Sequence, residues 1–203
     1  MSYAAAQREA FAAVCERLGP DAPTLIGWTT KELVAHCYVR EHRPDASLGV
    51  LPLGPLSAYT ERVMHSALRV NGYDKLVSAV RTPPPWLRVS SIDDAINTVE
   101  FFVHTEDVRR ANGMEPRPVD MGLEHWVWRR LRRQARLSFR RVPAKVRLVP
   151  TVGEPTEVGK SGSTVEVRGR PTELLLLAFN RKDAADVEVN GDKSALWSAK
   201  LGI

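Results

Sequence analysis

"VEFFVHTEDVRRA", residues 99–111, has the apolar spacing of a buried helix yet carries Glu100, His104 and Asp107 along one side. At 100° per residue, Asp93, Asn97, Glu100, His104 and Asp107 share a stripe about 80° wide. Phe101 and Val108 border it on one side; Ile92, Ile96, Val99 and Val103 border it on the other. A bundle that buries both flanks also buries the stripe, leaving Thr98, Thr105 and Arg109 on the side expected to reach solvent. A carboxylate inside a bundle is costly unless it is paired, hydrogen-bonded or coordinated. The stretch therefore predicts a helical bundle with a polar group in its interior, and Glu100 needs a partner.

The chain before this helix follows the same period. A helix over 3–18 stops at Gly19-Pro20; after a loop to Trp28, Thr29 and Glu32 form a capping-box pattern for a helix that reaches Arg43 and is stopped by Pro44. A third helix is expected over 55–70. A short helical piece and a proline-rich loop at 82–85 come next, then the long helix from Ser91 to Asn112-Gly113 and an arginine-rich helix over about 120–141. From 144 the period changes to two in KVRLV and TVEVR, followed by a helix at PTELLLLAF, a strand at DVEVNG and a last helix ending in LWSAKL. The expectation is a mainly α protein, with a helical bundle over 1–142 and a small α+β domain over 143–203.

Composition limits the function classes. With 203 residues, 43% apolar and 26% charged, the chain can form one good core or a domain with a small appendage. No run approaches the roughly 20 apolar residues that cross a bilayer, and the N-terminus MSYAAAQREAFAAVCERLG lacks a signal peptide's apolar stretch. Neither Cys15 nor Cys37 has CxxC or CxxH spacing; both are expected as small core residues in a reducing compartment, consistent with a cytoplasmic protein. The net charge of +5 is local, because RRLRRQARLSFRR (129–141) holds seven arginines. Arg129, Arg132, Arg133, Arg136 and Arg140 share one helix face, opposite Val127, Trp128, Leu131 and Ala135. That face has no interleaved aromatics and no nucleic-acid-binding motif, so it is expected to be solvated surface, with nucleic-acid or anionic-surface binding as the alternative.

Glu100 and His104 lie one helical turn apart, so both heads point to one spot, a geometry that suits a divalent ion. A satisfied core histidine or a plain ion pair is the alternative. His36 is the best third ligand, since Leu33, Val39 and the stem of Arg40 give it a face mixing apolar residues with polar heads; a structural histidine remains the other reading. His42, His65 and His125 point elsewhere. Two nitrogens and one oxygen from two helices leave an open position, as at a catalytic zinc, with Asn97 and Asp107 expected as hydrogen-bond partners of the ligands.

GWTTKELVAH followed by the distant TVEFFVHTEDVRR resembles the DinB-like proteins, in particular the branch that includes the actinobacterial mycothiol-dependent maleylpyruvate isomerases. The resemblance covers residues 5–140 as a four-helix bundle. From 144 on, with ELLLLAF, the chain is similar to the small sterol-carrier-like domain that several members carry. It implies an actinobacterial source and a divalent metal, usually zinc, on His36, Glu100 and His104. It also implies a thiol cofactor such as mycothiol, but not the reaction, because relatives include isomerases, thiol transferases and uncharacterised metal-binding proteins.

Arg40 and Arg43 follow His36 by four and seven residues, which places cations where they could hold a carboxylate-bearing substrate or the thiol. The alternative is that they pair with Asp93 and Asp107. No Ser-His-Asp grouping, phosphate-binding glycine loop or G-x-G-x-x-G is present, so hydrolase, kinase and dinucleotide readings have no support. Two function classes remain: a metal- and thiol-dependent isomerase or transferase acting on a small molecule, and a noncatalytic metal-binding or metal-sensing protein. The sequence leaves the oligomeric state open.

Overall fold

The computed structural model describes residues 2–47, 55–87, 89–159 and 162–202. It is mainly helical with one small four-stranded sheet, and it divides into two units, Met1–Pro116 and Arg117–Ile203. Among the described residues no helix is long and apolar enough to cross a membrane.

The first unit contains α1 (Tyr3–Leu18), α2 (Thr30–His42), α3 (Pro44–Ser47), α4 (Pro55–Asn71), α5 (Tyr73–Arg81) and α6 (Ser90–Ala111), with a 3-10 turn at Pro85–Leu87. Sequence punctuation sets the helix ends. The Glu32 carboxylate accepts from the Thr29 N–H at 2.7 Å and from its hydroxyl at 2.6 Å, starting α2 as the capping pattern predicts. Helix α6 ends where Gly113 takes a φ of +69°, a conformation that costs glycine little. Phe11 and Cys15 of α1, Leu33 and Cys37 of α2, Val63 and Met64 of α4, Leu76 and Val80 of α5, and Phe101 and Val108 of α6 form one core. Both cysteines are free and buried within it.

Two details of α6 differ from the wheel. Thr98 and Thr105, expected toward solvent, are buried, whereas Ile92 and Ile96, expected as a buried flank, are 44% and 41% exposed. Every residue from 101 to 108 is buried, so the middle of α6 has no solvent side. Thr105 tolerates this because its hydroxyl donates to the Phe101 carbonyl at 2.6 Å.

The second unit contains α7 (Met121–Ser138), β1 (Lys145–Pro150), β2 (Thr156–Gly159), β3 (Thr164–Gly169), α8 (Pro171–Ala178), β4 (Glu188–Gly191) and α9 (Lys193–Ser198). The strand order is β2-β1-β3-β4, with β1 and β3 parallel and the outer pairs antiparallel. Period-two alternation buries Val146, Leu148, Val165 and Val167. The intervening Arg147, Glu166 and Arg168 form ion pairs with one another and with Glu157. Helix α8 is buried along its whole length and packs on β1, β3 and α7.

The unit boundary falls at Pro116, where the sequence reading placed it at 142. Helix α7, assigned above to the bundle, belongs with the sheet. Its buried Glu124 accepts from the N–H and hydroxyl of Thr172 at 3.0 and 2.9 Å, capping the start of α8. The change of period at 143 marks where helix gives way to strand; the break between units lies in the proline-containing link before α7. Strand β2 was also missed, because TEVG offers a single apolar residue, Val158, to a period-two pattern.

Candidate metal centre

Helices α2 and α6 supply the three groups, all from the first unit. His36, Glu100 and His104 each offer a ligand atom, and these atoms lie within 4.8 Å of one another. One carboxylate oxygen, Glu100 Oε1, is 3.4 Å from His36 Nε2 and 3.2 Å from His104 Nε2. The two imidazoles meet edge to face, with centroids 5.4 Å apart at 82°, and Trp28 packs against His36 at 5.3 Å. Each histidine is 8% exposed.

Asp107, wholly buried, is 2.9 Å from His104 Nδ1. That contact directs the Nδ1–H at a carboxylate and turns Nε2 toward Glu100, the orientation that a ligating histidine adopts when its far nitrogen is tied down. Asn97 does not reach the three groups. Its Nδ2 donates to Asp93 Oδ1 at 2.6 Å, and its Oδ1 accepts from Arg40 Nη1 at 2.5 Å. Arg40 is the residue that reaches the centre, with Nε 3.4 Å from Glu100 Oε1 and its side chain 21% exposed. Arg43 turns away to an exposed pair with Asp45 at 2.8 Å and takes no part. Neither arginine makes the expected pair with Asp93 or Asp107, since Asp93 is taken by Arg8 and Asp107 by His104. His65 and His125 are exposed, and His42 stacks on Tyr38 at 4.4 Å.

The sequence reading overlooked Arg8, which is fully buried. Its guanidinium meets both Glu41 oxygens at 2.6 Å and Asp93 Oδ1 at 2.6 Å, and lies 4.7 Å above the Phe101 ring. Through Asp93 and Asn97 this cluster holds Arg40 in place over Glu100. A signal was present: Ala4, Arg8, Phe11 and Cys15 share the apolar face of α1, and a charge on such a face requires buried partners.

Charge within the centre is balanced by protons. Burial by itself disfavours the charged forms of all three residues. For His104 the bonds to Asp107 and Glu100 outweigh burial and raise the pKa to about 9. For His36 burial wins and lowers it. For Glu100 the two imidazoles and Arg40 overcome burial and hold the carboxyl well below its usual range. The metal-free centre thus carries a carboxylate, a neutral His36 and an imidazolium at His104. Burial pushes the Cys37 thiol well above its ordinary range, and Cys37 is not among the three groups that converge.

Two imidazole nitrogens and a carboxylate oxygen, one of the imidazoles oriented by an outer carboxylate, could hold a metal ion. Because a ligating His104 must first lose its proton, apparent metal affinity is expected to rise about tenfold per pH unit from neutrality and to level off near pH 9. The metal-free protein follows the opposite course: the folded pKa exceeds the ordinary 6.5, so this stabilisation is complete below 6.5 and lost as pH rises through about 9. Competition titrations with a chromophoric chelator across that range check the first slope, and a pH-independent affinity would contradict it.

No protein-family model, curated protein or solved structure matches the chain.

Proposed function

We propose that this is a DinB-like divalent-metal protein with a small sterol-carrier-like second unit, acting as a thiol-dependent isomerase or transferase on a small carboxylate-bearing molecule. Zinc is the proposed ion and mycothiol the proposed thiol. The observation that carries this reading is the convergence, among the described residues, of three protein ligands, one of which, Glu100, keeps a side chain 21% exposed beside the equally exposed Arg40. When bound, the ion supplies the positive charge that lets a thiol lose its proton near neutral pH.

The chain's own residues do the remaining work. Asp107 holds His104 in one tautomer. Arg40, fixed by Asn97 and the Ile96 carbonyl, presents guanidinium N–H groups to a carboxylate by charge-assisted hydrogen bonding. Trp28 covers the edge of His36 and limits the approach of water on that side. The low exposure of both histidines favours a second reading, noncatalytic metal binding or sensing.

Calorimetric titration with mycothiol separates the two. Binding to the metal-loaded wild type, lost on metal removal and weakened about tenfold or more in Arg40→Gln, is the expected result for the thiol-dependent enzyme. Failure of the metal-loaded wild type to bind thiol leaves the noncatalytic reading.

A further inference from the structure

The arginine face of α7 borders a hollow that the metal centre does not use. Arg129, Arg132 and Arg133, with Thr156 at the start of β2, line an open cavity of about 390 Å³ within the second unit. All three arginines are exposed, and among the described residues none of their side chains makes a hydrogen bond or ion pair. The contrast with the sheet of the same unit is sharp, for there Lys145, Arg147 and Arg168 are neutralised by Glu157 and Glu166. Along the sequence no aspartate or glutamate occurs between Glu124 and Glu154, although the seven arginines of 129–141, Lys145 and Arg147 all lie in that interval. Like charges three and four residues apart destabilise a helix. Uncompensated cations at this density are what an anionic ligand would neutralise.

The far wall of the hollow is anchored. Trp128, on the buried side of α7, donates its indole N–H to the Glu154 carbonyl at 3.1 Å. Gly153, at φ +91°, brings its backbone so close to the indole that a Cβ would lie 2.6 Å from Trp128 Cδ1. The turn before β2 is thus clamped to the helix that bears the arginines, and Thr156 stands opposite them.

We propose that this hollow is a binding site for a small molecule bearing phosphoryl groups. Three guanidinium forks within one helical turn suit a compact anion with several oxygens, because each fork can give two parallel N–H bonds to a phosphoryl group. The volume has room for more than one such group. A nucleic-acid surface is disfavoured, since the face offers no aromatic ring on which a base could stack. This site is independent of the metal reading.

The test is titration of the full chain with inorganic pyrophosphate at low ionic strength, beside Arg132→Gln/Arg133→Gln. All variants retain the same metal centre, so heat from chelation is common to them. Saturable binding to the wild type is expected, weakened about tenfold or more in the double variant. Arg140→Gln, in the turn after α7 and outside the hollow, is expected to change binding less than about twofold. Arg132→Lys/Arg133→Lys keeps the charge, loses the forks and should fall between wild type and the glutamine variant. Absence of saturable binding would overturn the proposal, as would equal losses at Arg140 and in the hollow. So would binding of duplex DNA tighter than of pyrophosphate with a steep salt dependence, which would mark a nucleic-acid surface.

Discussion

Replacing Arg8 with alanine is expected to cost about 3–5 kcal/mol of folding stability, the loss typical of breaking a buried ion pair from one side. Arg8 is fully buried and satisfies Glu41 and Asp93 together; without it two carboxylates remain in the interior of the first unit. The deficit should shrink in acid. Burial raises the Glu41 pKa even with Arg8 present, so in the variant the group takes up a proton on folding, and lowering the pH through its folded pKa restores stability. Urea unfolding at neutral and mildly acidic pH measures both effects. A loss below about 1 kcal/mol at neutral pH would mean that water or other groups compensate the carboxylates. Arg40 should lose its fixed position as well, because its anchor Asn97 bonds to Asp93.

The Arg8 cluster also shows where sequence reading reaches its limit. The polar stripe on α6 was legible because Glu100, His104 and Asp107 recur at helical spacing between apolar flanks, and His36 because its helix face mixes Leu33 with polar heads. Those patterns belong to single helices. Arg8 was equally visible on the wheel of α1, but its partners Glu41 and Asp93 lie on two other helices, and no local spacing links them. Arg43 was drawn toward the site by its register with His36, yet Asp45, two residues on, offers a nearer partner. The burial of Thr105 was hidden for a different reason: threonine is polar in a periodicity count but can return its hydroxyl to the preceding turn, as Thr105 does to Phe101. The unit boundary was misplaced because amphipathic periodicity reveals that α7 has an apolar face, not which neighbour covers it.

His104→Ala is the second substitution with a large expected effect, and it acts on metal and fold together. The imidazole contacts both Glu100 and Asp107, at 3.2 and 2.9 Å, and it supplies one of the three candidate ligands. Its loss leaves His36 and Glu100 as a two-donor set, too few to hold an ion tightly against water. In the metal-free protein it also removes the imidazolium that lies between two carboxylates, with an expected cost of about 3 kcal/mol at neutral pH. Wild type gains further stability from the bound ion, by an amount that grows with the logarithm of its affinity, whereas the variant should gain none. The difference in melting temperature between the two should therefore widen when zinc is added.

The most direct test of the metal centre is elemental analysis of the purified wild-type chain, after zinc loading and removal of free ion, beside His104→Ala treated identically. Stoichiometric zinc in the wild type and background zinc in the variant is the predicted result. Equal metal content in the two, whether full or absent, would contradict the assignment of His36, Glu100 and His104 as its ligands.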